Sequence, residues 1–312
     1  MLSIGYVLKR LLQIIPTLVF IVVVTFLIVR LLPGDPASAI LGDKATDAEV
    51  ARLHAEMGLD RPLIVQFGNF ALRVVQGDLG TSTAVKLPVG RIVLDRLPAT
   101  LLLTVMAAFL ALLLAVPLAF VAALRQGRLG DTVIQGCFQV GLSMPVFYVG
   151  LILLTVFAAG LRWFPVGGYG DTYLLHLYHL FLPALTLALS LAAVLMRNLR
   201  TAILDALTAD YADFARAKGL PTRVVLFRHV LRNALISTVT LFGLNIGTLL
   251  GGAVITETVF AIPGAGRLMI DSIYARDYPT IQGLTLVLAV LVSVAFLLTD
   301  LVQASLDPRV AQ

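Results

Sequence analysis

With 312 residues, 59% of them hydrophobic and 13% charged, the chain is too apolar and too sparsely charged for a soluble globular domain. Its net charge of +5 does not mark a nucleic-acid binder, because the basic residues gather between long apolar runs, as the positive-inside rule expects. The composition therefore predicts an all-α integral membrane protein, in contact with lipid and with no nucleic acid partner.

Lys9 and Arg10 precede an uncharged run over residues 11–29, which at about 1.5 Å per residue is long enough to cross the hydrocarbon core. It lacks the short apolar core and small-residue cleavage site of a secretory signal, so it is expected to be retained as a first span, with Pro16 in its first turns. Residues 31–97 differ in kind. They open with LLPGDPA, where Pro33, Gly34, Asp35 and Pro36 form a turn out of the membrane. Mixed charges follow, with a predicted amphipathic helix over 46–57 ended by Gly58. The length and near-balanced charge of this stretch predict a small folded lobe on the outer side.

Five further uncharged runs, at 97–124, 132–161, 179–196, 234–256 and 278–299, complete six predicted spans. An even number puts both termini on one side. Lys9 and Arg10, then Arg125 and Arg128, fall on that side. So does the loop before the fifth span, where Arg197, Arg200, Arg216, Lys218, Arg223, Arg228 and Arg232 outnumber Asp205, Asp210 and Asp213. That side is expected to be the cytosol. Cys137, the only cysteine, lies in an apolar run and reads as a buried, inert thiol.

The polar stretch at 211–233, YADFARAKGLPTRVVLFRHVLRN, breaks the apolar pattern. A short helix is predicted from Tyr211 to Lys218, with Tyr211, Phe214 and Ala215 on adjoining faces. Gly219 supplies the left-handed residue that ends it, and Pro221 prevents its continuation. Thr222 is the expected cap of a second helix carrying Val224, Phe227, Val230 and Leu231. A helix–glycine–helix knuckle at the membrane surface is a shape another protein can grip.

In the fifth span, Gly243, Gly247 and Gly251 recur every four residues and make a flat stripe, for packing within the subunit or for an interface between subunits. Asn245 beside them is expected to hydrogen-bond across helices. Glu257, Arg267, Asp271, Arg276 and Asp277 flank the following turn, where paired charges are the expected fastening. His176 and His179 lack the accompanying ligands of a metal site and read as interfacial histidines. Ser143 lacks the G-x-S-x-G elbow of a hydrolase. No G-x-x-x-x-G-K-[ST] occurs, so if ATP drives this chain another subunit hydrolyses it. No catalytic residue is expected. A stand-alone secondary transporter is disfavoured by the nearly charge-free span centres and the lack of a half-chain repeat.

The knuckle resembles the EAA loop of the membrane subunits of type I ABC importers. Asp213, Phe214 and Ala215 stand at the Glu-Ala-Ala start and Gly219 at the glycine, while Phe214, His229 and Arg232 depart from the generic pattern. ARAKGL, RHVLRNAL, LLPGDPA, TETVFAIPGAGRLMIDSI, RDYP and the terminal DPRV are similar to the B-type permease of the dipeptide, oligopeptide and nickel branch. The resemblance implies a six-helix type I importer (MetI-like) fold with an extra first span and periplasmic lobe. It implies residues 1–96 as that span and lobe, 97–300 as the core with the coupling loop at 211–233, and 301–312 as a cytoplasmic tail.

The partners implied are a C-type permease subunit, two ATP-binding subunits and a solute-binding protein. No cofactor is expected on this chain, with ATP and magnesium used by the partners. Coupling would fall to Tyr211, Asp213, Phe214, Ala215, Lys218 and Gly219, and binding-protein contact to the lobe that opens at Pro33–Pro36. The setting implied is a bacterial or archaeal inner membrane, and the cargo di- or oligopeptides, with glutathione or nickel chelates as alternatives.

Overall fold

The computed structural model describes residues 4–31, 46–58 and 60–306, and these are almost wholly helical. Pro33, Gly34, Asp35 and Pro36 lie outside the described residues. In chain order the helices are α1 (Ile4–Leu31), α2 (Asp47–Met57), α3 (Leu63–Val75), α4 (Val89–Leu124), α5 (Leu129–Ser143), α6 (Val146–Gly160) and α7 (Tyr173–Leu207). There follow α8 (Asp210–Ala217), α9 (Thr222–Val259), α10 (Ala265–Tyr274) and α11 (Tyr278–Leu306). α1, α4, α7, α9 and α11 are each long and apolar enough to cross a membrane, and α5 with α6 makes a sixth, broken span.

That break corrects the expectation of one straight helix over 132–161. The chain bends by 108° between the two halves. Pro145 has no N–H to continue the ladder of α5, and its ring drives Met144 to an extended ψ of 138°. α5 also lies on the surface, so Cys137 is exposed rather than buried. Among its described residues only Asp131 turns fully inward.

α7 is the centre of the bundle. Two thirds (67%) of its most apolar stretch is buried, against 11% for α1 at the periphery. The reason lies largely in α4, where Leu103, Ala107, Ala111, Ala115 and Ala119 are fully buried at four-residue spacing. Small side chains along one i+4 ridge let α4 approach α7 closely, and Leu180, Leu195, Leu199 and Ile203 of α7 fill the same core. α4 is continuous across residue 96 and α11 across residue 300.

The glycine stripe of α9 is only partly an intramolecular seam. A Cβ at Gly243 would overlap the side chain of Thr299 on α11, and one at Gly247 would touch Phe296 and Val292 at 3.5 Å. Gly251 faces open space. Asn245 corrects its expectation, because its Nδ2 donates to the Leu241 carbonyl one turn back in the same helix (2.8 Å).

At the end of the bundle where α9 stops and α11 starts, paired charges are not the fastening. Glu257 is fully buried and accepts from Thr100 Oγ1 of α4 (2.6 Å) and from the backbone N–H of Arg267 (2.9 Å), so it holds the start of α10 against α4. Only glycine fits at 264, where a Cβ would overlap that carboxylate. Asp277 accepts from the hydroxyls of Ser82, Thr83 and Thr280 and from the Thr83 N–H, joining the segment before α4 to the start of α11. Burial pushes the Asp277 carboxyl up, but these donors outweigh it and hold it below the ordinary range. The Arg267–Asp271 pair, at 3.9 Å, is long and exposed. His176 and His179 pin the preceding loop by donating from Nδ1 to the carbonyls of Tyr169 (2.8 Å) and Gly167 (3.0 Å).

Candidate functional site

The knuckle forms at the opposite end of the bundle. Asp210 and Asp213 lie in the first turn of α8, where carboxylates suit the helix dipole. Lys218 closes the helix and Gly219 takes φ +75°, the left-handed value that reverses the chain. The Gly219 N–H donates to Arg216 O (2.9 Å) and the Leu220 N–H to Ala215 O (3.3 Å), satisfying carbonyls the helix end would leave open. Pro221 then occupies the cap position of α9. Thr222 is the first helical residue and makes no capping hydrogen bond, contrary to its expected role.

α8 has two distinct faces. Ala212 and Ala215 are buried and join the core with Ala206, Val225 and Val230. The other face presents Phe214, 69% exposed, with Tyr211 at 39% and the exposed Lys218 beside it. Arg216 bridges Asp213 (2.7 Å) and the carbonyl of Leu207 (3.2 Å), so the last residue of α7 is tied to α8 by a cation that suits a helix C-terminus. The structure thus gathers Tyr211, Asp213, Phe214, Ala215, Lys218 and Gly219 on one helix and its cap. Gly243, Gly247 and Gly251 belong to a separate part of α9.

The second arm of the knuckle is the base of the fifth span itself. α9 runs without a break from Thr222 to Val259, and Val225–Leu231 is wound as π-helix. The second helix expected from Thr222 and the fifth span expected from residue 234 are therefore one continuous rod. Wide turns of this kind often mark functional positions. Phe227 meets the ring of Phe120 on α4 at 5.2 Å, fixing the base of the rod sideways.

A buried fork stands beside it. Arg200 of α7 donates through Nε (2.8 Å) and Nη2 (2.6 Å) to the two oxygens of Asp131, which also accepts from Gln135 Nε2 (2.7 Å) and Gly127 N (3.1 Å). This pair escaped the reading of the sequence, since 69 residues separate its members and nothing local signals the contact. Next to it a groove of about 400 Å³ between α5 and α7 presents Gln135, Gln139, Arg197 and Thr201.

Residues 115–312 match the family model described as the binding-protein-dependent transport system inner membrane component, and residues 3–104 match the N-terminal model for such components. The glutathione transport system permease protein GsiC of Salmonella typhimurium is 40% identical over 306 residues, covering 98% of each chain. The oligopeptide transport system permease protein AppB of Bacillus subtilis is 40% identical over 312 residues, covering 98% of this chain and 99% of that one. Among solved structures, an inward-facing MetNI methionine ABC transporter superposes with a TM-score of 0.58 at 15% identity, covering 69% of this chain and 96% of that one. An amino acid ABC transporter with histidines gives 0.51 at 16%, covering 70% and 94%. At such identities the two structures speak to the fold alone.

Proposed function

Because the chain belongs to the family of binding-protein-dependent transport system inner membrane components, we propose that it forms half of an import path for di- or oligopeptides. It is a multi-pass permease subunit of an ABC importer in the inner membrane. Its partners in this reading are a C-type permease, two ATP-binding subunits that hydrolyse ATP with magnesium, and a solute-binding protein. Both termini and the knuckle face the cytosol. The concentration of Arg125, Arg128, Arg200, Arg216, Arg223 and Arg228 at the knuckle end supports that orientation.

The observation that carries the reading is the continuity of the knuckle with a span. An exposed aromatic helix, reversed at Gly219, leads directly into the 38-residue rod of α9. A nucleotide-driven subunit gripping Tyr211 and Phe214 would move that rod as a lever and shift the bundle between two packings. The polar groove beside Arg197 is this chain's share of the inner mouth. The lobe between α1 and α4 receives the solute-binding protein.

Glutathione is the second cargo reading, favoured by the name of the GsiC relatives. It is itself a small γ-linked peptide. Uptake of a labelled dipeptide by the reconstituted importer, competed with unlabelled peptides and with glutathione, separates the two.

The coupling reading is tested at Gly219. No neighbour lies within 4 Å of a Cβ there, so the fold has room, but an L side chain at φ +75° is strained. Gly219→Trp in the assembled importer is expected to insert normally and keep ATP hydrolysis, while uptake falls roughly tenfold or more, the equivalent of about 1.4 kcal/mol of misplaced docking. Normal uptake at normal expression contradicts the reading.

A further inference from the structure

We infer that α3 (Leu63–Val75) is an interfacial helix lying in the lipid leaflet opposite the knuckle, anchoring the lobe to the bilayer surface. Its sequence, LIVQFGNFALRVV, carries one charge. Gln66, Asn69 and Arg73 follow one another at i, i+3 and i+7 and make a single narrow polar stripe. Ile64, Ala71 and Val75, at i, i+7 and i+11, occupy the side directly across the helix. Ile64 and Val75 are the most exposed apolar residues of α3, at 75% and 84%, and no residue of the helix is buried. A helix in water would not turn its largest apolar surface away from the protein. A helix lying flat on a membrane does so, with its polar stripe upward.

The location agrees. The third flank of α3 packs on α1, where Phe67 and Phe70 meet Phe26 at ring-centre distances of 5.3 and 5.8 Å. Phe26 lies five residues before the end of α1, about 8 Å along the helix axis. α3 is therefore held at the depth where that span leaves the hydrocarbon. α1 is itself the peripheral span, only 11% of its apolar stretch being buried. The exposed side of α3 thus continues the lipid-facing surface of α1. Lipid acyl chains are the occupant that fits, because the surface is apolar without a polar rim except along the one stripe.

The test is spin-label accessibility in the assembled importer, built with cysteine-free partner subunits and reconstituted in phosphatidylethanolamine–phosphatidylglycerol bilayers. Labels are placed singly at Ile64→Cys, Val75→Cys and Asn69→Cys, in a Cys137→Ser background, with and without the solute-binding protein. Labels at 64 and 75 are expected to collide more with oxygen, which partitions into lipid, than with a water-soluble nickel chelate, and the label at 69 to show the reverse. Greater nickel accessibility at 64 and 75 would place that face in water and overturn the inference. Shielding from both reagents would put a protein partner there and overturn it equally. Neither outcome depends on what the importer carries.

Discussion

Single side chains decide how the two ends of the bundle are held. In the Asp131–Arg200 fork the carboxylate is buried and the guanidinium half-buried, with side-chain exposures of 4% and 16%, so removing the arginine leaves Asp131 without its main partner. Arg200→Gln is expected to lower stability by about 1–2 kcal/mol, read as a drop in the melting temperature of the purified protein. Replacing both residues with an apolar pair should recover much of that loss. At the other end Asp277 is expected to contribute to acid sensitivity. Its folded value lies below that of the unfolded chain, so its contribution is complete above the unfolded value of about 3.9 and drains away as pH falls through the folded one. Melting followed from about pH 5 down to about pH 2 should show a loss that Asp277→Asn flattens. An unchanged acid slope in that variant would assign the sensitivity elsewhere. Gly219 was legible at this scale, because a glycine before Leu-Pro has few other uses. Glu257 and Asp277 read as ion pairs in the sequence because arginines lie nearby, whereas their actual partners include the sequence-distant hydroxyls of Thr100 and Ser82.

The elements follow local chemistry where local chemistry is strong. α2 ends at Gly58 in the left-handed region, as its sequence predicts, and its start is held by a reciprocal capping box between Thr46 and Glu49. α8 likewise sits where the alanine-rich run and Gly219 place it. An uncharged run conceals the break at Pro145, and charged residues conceal continuity elsewhere. α4 starts at Val89 despite Asp95 and Arg96, and α9 starts at Thr222. Helical hydrogen bonding does not stop at the edge of an apolar stretch. The i+4 ridge of Ala107, Ala111, Ala115 and Ala119 is the seam that seats α7, and the glycines of α9 contribute less to the packing within the chain. Of those, Gly243 is the one with no room. Gly243→Ala is expected to destabilise by about 1–3 kcal/mol through overpacking against Thr299 of α11, and Thr299→Gly should relieve most of the loss. Gly251→Ala, facing open space in a helix interior, should keep or slightly raise the melting temperature of the isolated chain.

At the scale of the whole molecule, the bundle joins an exposed aromatic tip to a membrane-crossing rod with no flexible joint between Thr222 and Val259. α7 packs against α4, α5 and α9 and so connects both ends of the bundle through one buried helix. Only the assembled importer can show whether the tip is where force enters. A photo-crosslinking amino acid at Phe214, activated in the complete complex, tests this most directly. The account predicts capture of an ATP-binding subunit, with a yield that changes when ATP is bound. Capture of the solute-binding protein, or of no ATP-binding subunit in either nucleotide state, would contradict it.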